Sequence, residues 1–237
     1  MTKTRLPGFA LPGWTAPPRP QATGLRGAWI HLEPLTDDAH AADLHRAFGP
    51  HPALWDFMHY GPFPTVDSYH TWAKVAEAGS DPCYFALRNP ATGLCGGVAS
   101  YLNIVPQNGT IEVGNICFSP EIQRGRGATE AMFLMMDWAF GAGYRRYEWK
   151  CNALNMPSRR AAQRFGFGFE GIFRQHTVVK GRNRDTAWFA MTDGDWPALR
   201  AAYLAWLSDD NFDPAGEQKS RLSDLTKALL VTVDPAL

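Results

Sequence analysis

The stretch Ile111 to Thr129 reads IEVGNICFSPEIQRGRGAT and joins a strand-like run to a loop rich in glycine and arginine. The run breaks at Ser119-Pro120, and an apolar segment from about Ala128 to Phe140 predicts a helix after the loop. Glycines allow close approach of the backbone, the first N–H groups of a helix lack internal partners, and the helix dipole favours an anion there. The stretch therefore predicts a site for a phosphate-bearing cofactor, to which two arginines add cationic donors.

Composition limits the classes of protein to consider. The chain has 237 residues, of which 45% are hydrophobic, as expected for one large domain or one domain with extensions. Lys and Arg together number 23, as do Asp and Glu, so charge gives no general case for nucleic acid or an anionic membrane as partner. No run of 18 apolar residues predicts a spanning helix, and residues 1–20 lack the apolar core of a signal peptide.

Cysteine spacing predicts the compartment and argues against a metal. The four cysteines form no CxxC pair, so we expect free, mostly buried thiols in a cytoplasmic protein and no metal site. They are Cys83, Cys95, Cys117 and Cys151.

Before the opening stretch, the pattern predicts alternating strands and helices. Residues 1–24 are rich in Pro and Gly and predict an extended arm that docks through Phe9 and Trp14, or else a disordered leader. The sequence predicts an ordered aromatic loop at 49–64. Its aromatic side chains either line a substrate pocket or pack beneath the loop, and packing is slightly favoured. The other predictions are a strand at 25–33, a helix from Thr36 or Asp37 to about Phe48, a helix at 66–78, and a hairpin of strands 83–88 and 94–102 with a bulge at Gly96-Gly97.

After the stretch, the predicted elements continue to the end of the chain. They are strands at 110–118 and 144–152, a short helix at 159–164, and two antiparallel strands, 169–180 and 185–192, joined by a turn at 181–184. Trp196, Leu199 and Tyr203 begin a helical pattern, and a further helix near Leu222 to Leu229 completes a C-terminal extension that covers its own chain or a neighbouring subunit. We expect an arm at 1–24, a domain at 25–195 and helices at 196–237.

The order of these elements resembles the GCN5-related N-acetyltransferase (GNAT) superfamily over about Leu25 to Thr192. Residues 116–171 carry most of the resemblance, and they read ICFSPEIQRGRGATEAMFLMMDWAFGAGYRRYEWKCNALNMPSRRAAQRFGFGFEG. Within them, Ala128-Thr129-Glu130-Ala131 is similar to the "ATEA" helix start of the branch that includes the ribosomal-protein N-terminal acetyltransferases. Asn155-x-x-Ser158 followed by Gly166-Phe167 is similar to that branch's "NxxS…GF" segment. The resemblance implies an α+β fold whose twisted, mainly antiparallel sheet splays open at its middle.

The loop departs from the superfamily pattern Gln/Arg-x-x-Gly-x-Gly/Ala. Counted from Gln123, the fourth position is Arg126 and the sixth is Ala128. Counted from Arg124, the fourth is Gly127 but the sixth is Thr129. We still expect the loop to bind pyrophosphate, because backbone N–H groups rather than glycines as such are the donors.

The resemblance implies acetyl-CoA as donor and an amine as acceptor, either a protein or peptide N-terminus or a small amine. The strand around Ile116, Cys117 and Phe118 would pair with the pantetheine amides, and Asn155 would bond near the pantetheine or thioester end. The pyrophosphate would lie on the loop residues Gln123, Arg124, Gly125, Arg126, Gly127, Ala128 and Thr129.

Direct acetyl transfer needs a base for the amine and an acid for the leaving thiolate. Glu112 is the first candidate base, because the superfamily often places one at the start of this strand; Glu148 is the second. His176 has a suitable reference pKa near ~6.5, but its place on an outer strand suits a structural role. The non-catalytic alternative for Glu112 is a carboxylate on the solvent side of its strand.

The acid is harder to assign. Many superfamily members carry a tyrosine four residues before the Gly-Phe pair, where this chain has Ala162. Ser158 is the substitute that the resemblance implies, and capping the short helix is its alternative role. Cys151 as a nucleophile is much less expected than Cys151 as a buried strand residue. Two arginine pairs either face solvent or reach the 3′-phosphate of CoA, namely Arg145-Arg146 and Arg159-Arg160.

Three further interpretations stay open. A nucleotide-fold dehydrogenase half-fits Gly125-x-Gly127, but Glu130 stands where the third glycine belongs, and the preceding strands predict hairpins. A non-catalytic acyl-CoA-binding module fits the missing tyrosine and the irregular loop. The C-terminal helices also allow a homo-oligomer.

Overall fold

The computed structural model describes residues 8–21 and 23–237. Its centre is an eight-stranded mixed sheet in the order β1-β2-β3-β4-β5-β6-β8-β7. Neighbours pair antiparallel except β5 and β6, which are parallel. The strands are β1 Leu25–Arg26, β2 His31–Pro34, β3 Cys83–Arg88, β4 Cys95–Val105, β5 Thr110–Phe118, β6 Arg146–Asn152, β7 Gly168–Val179 and β8 Arg182–Thr192. The hairpins before β5 exclude the doubly wound parallel sheet of a nucleotide-fold dehydrogenase.

Helices cover both faces of the sheet. They are α1 Asp37–Phe48, α2 Val66–Ala78, α3 Arg126–Gly141, α4 Met156–Arg164, α5 Trp196–Leu207 and α6 Leu222–Lys227. Because successive strand residues point to opposite faces, Phe85 and Leu87 join the core under α3, whereas Ala86 joins the core under α1 and α2. The apolar residues of α3 are mostly buried, as their distribution around the whole helix predicted.

The first predicted strand is wrong as a single element. Residues 25–33 instead form β1 and β2 around the turn 27–30, where Gly27 N donates to Ile30 O at 2.9 Å. The turn is stabilised by Glu130 of α3, whose carboxylate accepts the N–H groups of Ala28, Trp29 and Ile30. A contact with a partner about a hundred residues away leaves no mark in the local pattern.

Other predicted boundaries shift by a few residues. Helix α3 begins at Arg126 rather than Ala128, so the preceding loop is shorter than predicted. Helix α4 begins at Met156 rather than Arg159, with Asn155 as its N-cap. The β7–β8 turn is Lys180-Gly181 rather than 181–184, and both residues have positive φ, as a two-residue type I′ turn requires. The predicted bounds of α1, α2, β3 and β5 are confirmed.

The described part of the N-terminal arm docks through its second half. Tyr144 Oη donates to Pro18 O at 3.0 Å, and Arg19 pairs with Asp81 at 3.2 Å. Trp14 packs beside Gly109, but Phe9 is 81% exposed, so the predicted docking of Phe9 is wrong. Residues 1–7 and Ala22 of the predicted arm lie outside the described residues.

The aromatic loop at 49–64 packs inward. Trp55 is 2% exposed and has edge-on contacts with Phe48 and Phe63, and Tyr60 stacks on Trp72. Packing, the slightly favoured interpretation, therefore describes most of the loop. Beside it lies a cleft of about 580 Å³ lined mainly by apolar and proline residues, including Phe48, Pro50, Trp55, Phe63 and Tyr69.

The C-terminal helices cover this chain's own body. Helix α5 packs on α3, and α6 packs on α4 and α5, so Leu199, Tyr203 and Leu222 belong to the main core. Buried Asp234 pairs with Arg159 Nε of α4 at 2.6 Å. In the described part of the chain, no helix has the length and apolar character needed to cross a bilayer.

Candidate active site

The sheet opens between β5 and β6. Their parallel register runs from Thr110↔Arg146 to Val113↔Trp149 and stops there. Strand β5 continues beside β4 to Phe118, while β6 continues beside β8 to Asn152. The edge of residues 114–118 that faces β6 therefore keeps backbone groups without strand partners, which suits an extended ligand with amide groups.

A distortion in β5 accompanies the opening. The β4–β5 register shifts between Val98 and Ser100, and Asn115 lies in the left-handed region with φ 51°. The Asn115 Nδ2 group donates to Ser100 Oγ at 2.9 Å, and Ser100 Oγ donates to Gly114 O at 3.2 Å. Side-chain hydrogen bonds thus hold the bulge that turns β5 away from β6. The predicted contact residues Ile116, Cys117 and Phe118 follow the bulge.

The first turn of α3 lies beyond the end of β5. Gly125 is its N-cap, and no described side chain caps the helix, so the N–H groups of Arg126, Gly127 and Ala128 point out of the helix without intrahelical acceptors. Gln123 Nε2 donates to Phe118 O at 2.6 Å, and Arg124 is exposed with φ 60°. Backbone N–H groups in this arrangement suit an anion, and phosphate binding at the loop stays a prediction.

Two residues of the predicted loop also hold the fold together. The Arg126 guanidinium donates to Leu207 O and to Asp209 Oδ1, and it lies 4.3 Å from the Trp29 ring centre and 4.1 Å from that of Phe212. A Cβ on Gly127 would lie 3.0 Å from Trp29 O. The Arg126 side chain therefore connects α3 to the C-terminal extension. Of Arg126, only the backbone N–H remains for a ligand.

Thr129, the last residue of the predicted loop, is also turned inward. It is buried within α3 and accepts a hydrogen bond from Arg164 at 3.1 Å. The Thr129 side chain is therefore not available to a ligand, and the exposed part of the predicted loop ends before Ala128.

Glu112 belongs to a polar cluster at the start of the opening. It is 4% exposed, and its Oε2 accepts from Asn103 Nδ2 at 2.6 Å and from Lys150 Nζ at 2.8 Å. Lys150 also pairs with Glu148 at 2.8 Å and lies 4.1 Å from the Trp188 ring centre. No described residue donates to Glu112 Oε1, so that oxygen has room for a further hydrogen bond.

Burial and pairing affect the two carboxylates differently. Burial raises the pKa of Glu112 above its ordinary value, although Lys150 and Asn103 act in the opposite direction. Burial also acts to raise the pKa of Glu148, but hydrogen bonds and charge from Arg146 and Lys150 outweigh it, so that pKa is lowered. Glu112 is consequently the stronger base of the pair.

Ser158 and Glu112 lie on opposite faces of the sheet. Trp149 points into the core under α3, and its Nε1 donates to Ser158 Oγ at 3.1 Å. Glu112 alternates with the core residues Ile111 and Val113 and so points to the other face. An opening with a carboxylate on one face and a hydroxyl on the other can take a proton on one side and give one on the other.

The helix-cap role belongs to Asn155 rather than Ser158. Asn155 Oδ1 accepts from Ser158 N at 3.2 Å. Since the indole N–H of Trp149 donates to Ser158 Oγ, the serine hydroxyl proton is left for another acceptor. The Ser158 N–H occupies Asn155 Oδ1, whereas no described residue forms a hydrogen bond with Asn155 Nδ2.

The remaining sequence candidates have structural partners. His176 Nδ1 bonds Thr186 Oγ1 at 3.0 Å on an exposed strand, and Arg159 is committed to Asp234. Arg146 bridges Glu148 and Glu170. Burial raises the pKa of Cys151, and it raises that of Cys117 to about 12, so neither thiol forms a ready thiolate.

Sequence reasoning missed Lys150, Asn103 and the pair of His59 with Arg184. Lys150 stands two residues after Glu148 and is 38 positions from Glu112, so only strand pairing could have placed it beside Glu112. Alternation in the predicted strand 144–152 was the available signal, because it puts residues 148 and 150 on one face.

The family follows from a direct match. Residues 30–168 match the family model described as acetyltransferase (GNAT) domain. The chain belongs to the GNAT acetyltransferase family. The predicted GNAT fold, an α+β fold with a mixed, splayed sheet, is thereby confirmed, as is membership of a family of acyltransferases.

Solved structures agree. A GCN5-related N-acetyltransferase from Brucella melitensis shares 45% identity, with 92% of this chain and 100% of that chain covered and a TM-score of 0.89. A probable GNAT-family acetyltransferase from Chromobacterium violaceum ATCC 12472 shares 39% identity, with 84% and 100% covered and a TM-score of 0.77.

Two other comparisons add less. The microcin C7 self-immunity acetyltransferase MccE, solved with acetyl-CoA and AMP, shares 17% identity, with 70% of this chain and 93% of that chain covered and a TM-score of 0.62, which shows the fold alone. No curated protein matches the chain. The narrower resemblance to ribosomal-protein N-terminal acetyltransferases stays a prediction.

Proposed function

We propose that this GNAT chain transfers an acetyl group from acetyl-CoA to a primary amine by direct attack. The observation that carries the proposal is the opening between β5 and β6, whose free strand edge leads to the uncapped first turn of α3. It combines the two kinds of donor and acceptor that a CoA thioester needs: strand-like amide partners for pantetheine and N–H groups for pyrophosphate.

The residues present fit acetyl-CoA. Residues 116–118 would pair with the pantetheine amides, and the N–H groups of Arg126, Gly127 and Ala128 would hold the pyrophosphate, with exposed Arg124 beside them. The free Nδ2 of Asn155 would serve the thioester end. Bound there, acetyl-CoA supplies an activated acetyl group.

Glu112 is the proposed base. Its Oε1 is free of described donors, while Asn103 and Lys150 fix Oε2 and thereby the orientation of the carboxylate. A buried carboxylate with a raised pKa removes a proton from an approaching ammonium more readily than an exposed one does.

Ser158 is the proposed acid, and it would protonate the leaving sulfur on the other face of the sheet. Trp149 Nε1 donates to Ser158 Oγ, which leaves the hydroxyl proton for another acceptor, and the Cys151 thiol lies within its reach. The acceptor is proposed to be a protein N-terminus or a small amine that enters from the Glu112 side.

Thermal shift with acetyl-CoA, CoA and NADH is the first test. A ligand at ~100 times its dissociation constant stabilises the fold by about 2.7 kcal/mol. We expect both CoA species, and not NADH, to raise the melting temperature. Release of CoA with an amine panel then tests turnover. Binding without acetylation of any amine would instead support a non-catalytic acyl-CoA-binding module.

A matched pair of variants within α3 tests the loop. In Gly127→Ala the new Cβ lies 3.0 Å from Trp29 O, so the first turn and the Trp29 backbone must move apart by a few tenths of an ångström. In Gly141→Ala, at the other end, the Cβ meets no described atom within 4 Å. We expect Gly127→Ala to lose most of its acetyl-CoA shift, measured from its own ligand-free melting temperature, and Gly141→Ala to keep it. Equal shifts would remove the loop from the cofactor site.

A further inference from the structure

The Arg184 guanidinium lies on the Glu112 side of the opening. Residues 184, 186 and 188 alternate along β8 and share a face with Lys150, which lies against the Trp188 ring. Arg184 Nη1 donates to Nε2 of His59, in the loop at 49–64, at 2.6 Å. The Arg184 side chain therefore connects the β7–β8 hairpin to the aromatic loop beside the opening.

This guanidinium has no counter-ion. Among residues 8–21 and 23–237, Arg184 forms no ion pair, and its Nε is buried without a hydrogen-bond partner. Lys180, at the tip of the same hairpin, donates to Trp55 O at 2.8 Å and likewise has no acidic partner in this part of the chain. Arg184 is partly buried, whereas Lys180 is exposed. A partly buried cation left without an anion is costly, and an unpaired group of this kind often marks a ligand's place.

No described carboxylate forms an ion pair with Arg184, although Glu112 acts on it from a distance. Desolvation lowers the pKa of Arg184, whereas the charges of Cys151 and Glu112 act in the opposite direction. Desolvation, followed by the charges of Arg184 and Lys180, lowers the pKa of His59, so the imidazole stays neutral and accepts. Glu112 is already bonded to Lys150 and Asn103.

The two ends of this surface have opposite character. Glu112 presents a free carboxylate oxygen, and Arg184 and Lys180 present uncompensated positive charge. We infer that the amine acceptor also carries a carboxylate, which Arg184 binds while the amine faces Glu112. The inference rests on the proposed N-acetyltransferase activity. The carboxylate belongs either to a free amino acid or to the acidic first side chain of a peptide.

Matched acceptors test the charge requirement. One arm compares L-alanine and L-phenylalanine with their carboxamides; the other compares peptides that begin with Glu or Gln and end in an amide. The kcat/KM values are expressed per unprotonated amine, because the α-ammonium group of a carboxamide has a lower pKa than that of the free amino acid. We expect the wild-type enzyme to prefer the carboxylate by about 10-fold or more in one arm, as a charge-assisted hydrogen bond predicts. The arm that shows the preference identifies the source of the carboxylate.

Variants assign the preference to Arg184. We expect Arg184→Gln to bring the carboxylate-to-amide ratio close to one, and Arg184→Lys to keep part of it. The control is Arg182→Gln, an exposed arginine of the same hairpin, which should keep the full ratio. If Arg184 only binds His59 structurally, Arg184→Gln would change stability without changing the carboxylate-to-amide ratio. The comparison of acceptors with the wild-type enzyme does not depend on the folding of any variant.

The outcomes separate the inference from the proposed function. If neutral amines are acetylated as well as their carboxylate counterparts in both arms, the inference is overturned while the proposed function stands. If Arg182→Gln loses the preference as Arg184→Gln does, Arg184 is not the carboxylate site. If acetyl-CoA binds and no amine is acetylated, both fail together.

Discussion

Glu130 Oε2 lies 2.6 Å from the backbone nitrogen of Trp29 and accepts its N–H. The same carboxylate accepts the N–H groups of Ala28 and Ile30 at 2.9 Å each. A Cβ on Gly27 would lie 2.3 Å from the Glu130 carboxyl, so the turn needs glycine there. The helix that forms the proposed pyrophosphate site is thus fixed to the first hairpin by one buried side chain.

Glu130→Ala should destabilise the fold. It leaves the backbone N–H groups of Ala28, Trp29 and buried Ile30 without their charged acceptor, and we expect a loss of about 3 kcal/mol in the free energy of unfolding. Urea denaturation measures it. Glu217→Ala, at an exposed position with no side-chain hydrogen bond to a described residue, is the control and should change little. Equal stabilities of the two variants would contradict the structural role of Glu130.

Glu112→Gln should remove most acetyl transfer. General-base catalysis contributes roughly 10²- to 10⁴-fold, so we expect kcat to fall at least about 100-fold. Glu148→Gln is the matched control, because it removes the other carboxylate on Lys150 and should have a much smaller effect. Single-turnover rates with acetyl-CoA measure both. The reverse order would make Glu148 the base.

Lys150→Met should move the pH profile. A base acts when ionised, so kcat/KM rises with pH through the pKa of Glu112, which burial places above its ordinary value. Lys150 lowers that pKa by charge and hydrogen bonding, so removing it moves the rising limb to higher pH. Two acceptors with different amine pKa values distinguish the enzyme's limb from the acceptor's. A limb that follows only the amine would exclude Glu112 as the titrating base.

Ser158→Ala and Asn155→Ala separate the role of the serine hydroxyl from that of the helix cap. Asn155 is the N-cap of α4, so Asn155→Ala should lower the free energy of unfolding by about 1 kcal/mol. Ser158→Ala keeps the cap and removes the hydroxyl, and we expect kcat to fall about 10-fold or more through loss of the acid. Thermal unfolding and kcat for both variants provide the check. Full activity in Ser158→Ala would show that the sulfur leaves without this hydroxyl.

Asp234→Ala should destabilise the fold and so test the role of the C-terminal segment. Asp234 is 1% exposed and forms two hydrogen bonds with the buried Arg159 guanidinium. Removing it leaves a buried charge without its partner, which costs about 3 kcal/mol or more. Asp193→Ala, at an exposed position, is the control for losing an aspartate. Denaturant midpoints that agree between the two variants would show that the last residues add no stability.

The sequence by itself determined the elements with local signals. Thr36 and Gly79 flank α1 and α2 as predicted, although the Thr36 side chain forms no capping hydrogen bond and Gly79 has an extended backbone. The all-round apolar pattern of α3 predicted a buried helix, which the structure confirms. The phosphate site at the Gly/Arg loop stays a prediction. Glu112 and Ser158 entered as candidates from the resemblance to the family, not from any measurable property of the chain.

The tertiary structure alone decided which groups meet. The Arg126 side chain, predicted for the cofactor, lies against Phe212 and the end of α5. Glu130 divides the first predicted strand from about a hundred residues away. Arg184 and His59 are 125 positions apart, yet share a hydrogen bond. Propensity, capping and periodicity act over a few residues, whereas hydrogen bonds and charge pairs depend on distances that only the folded chain fixes.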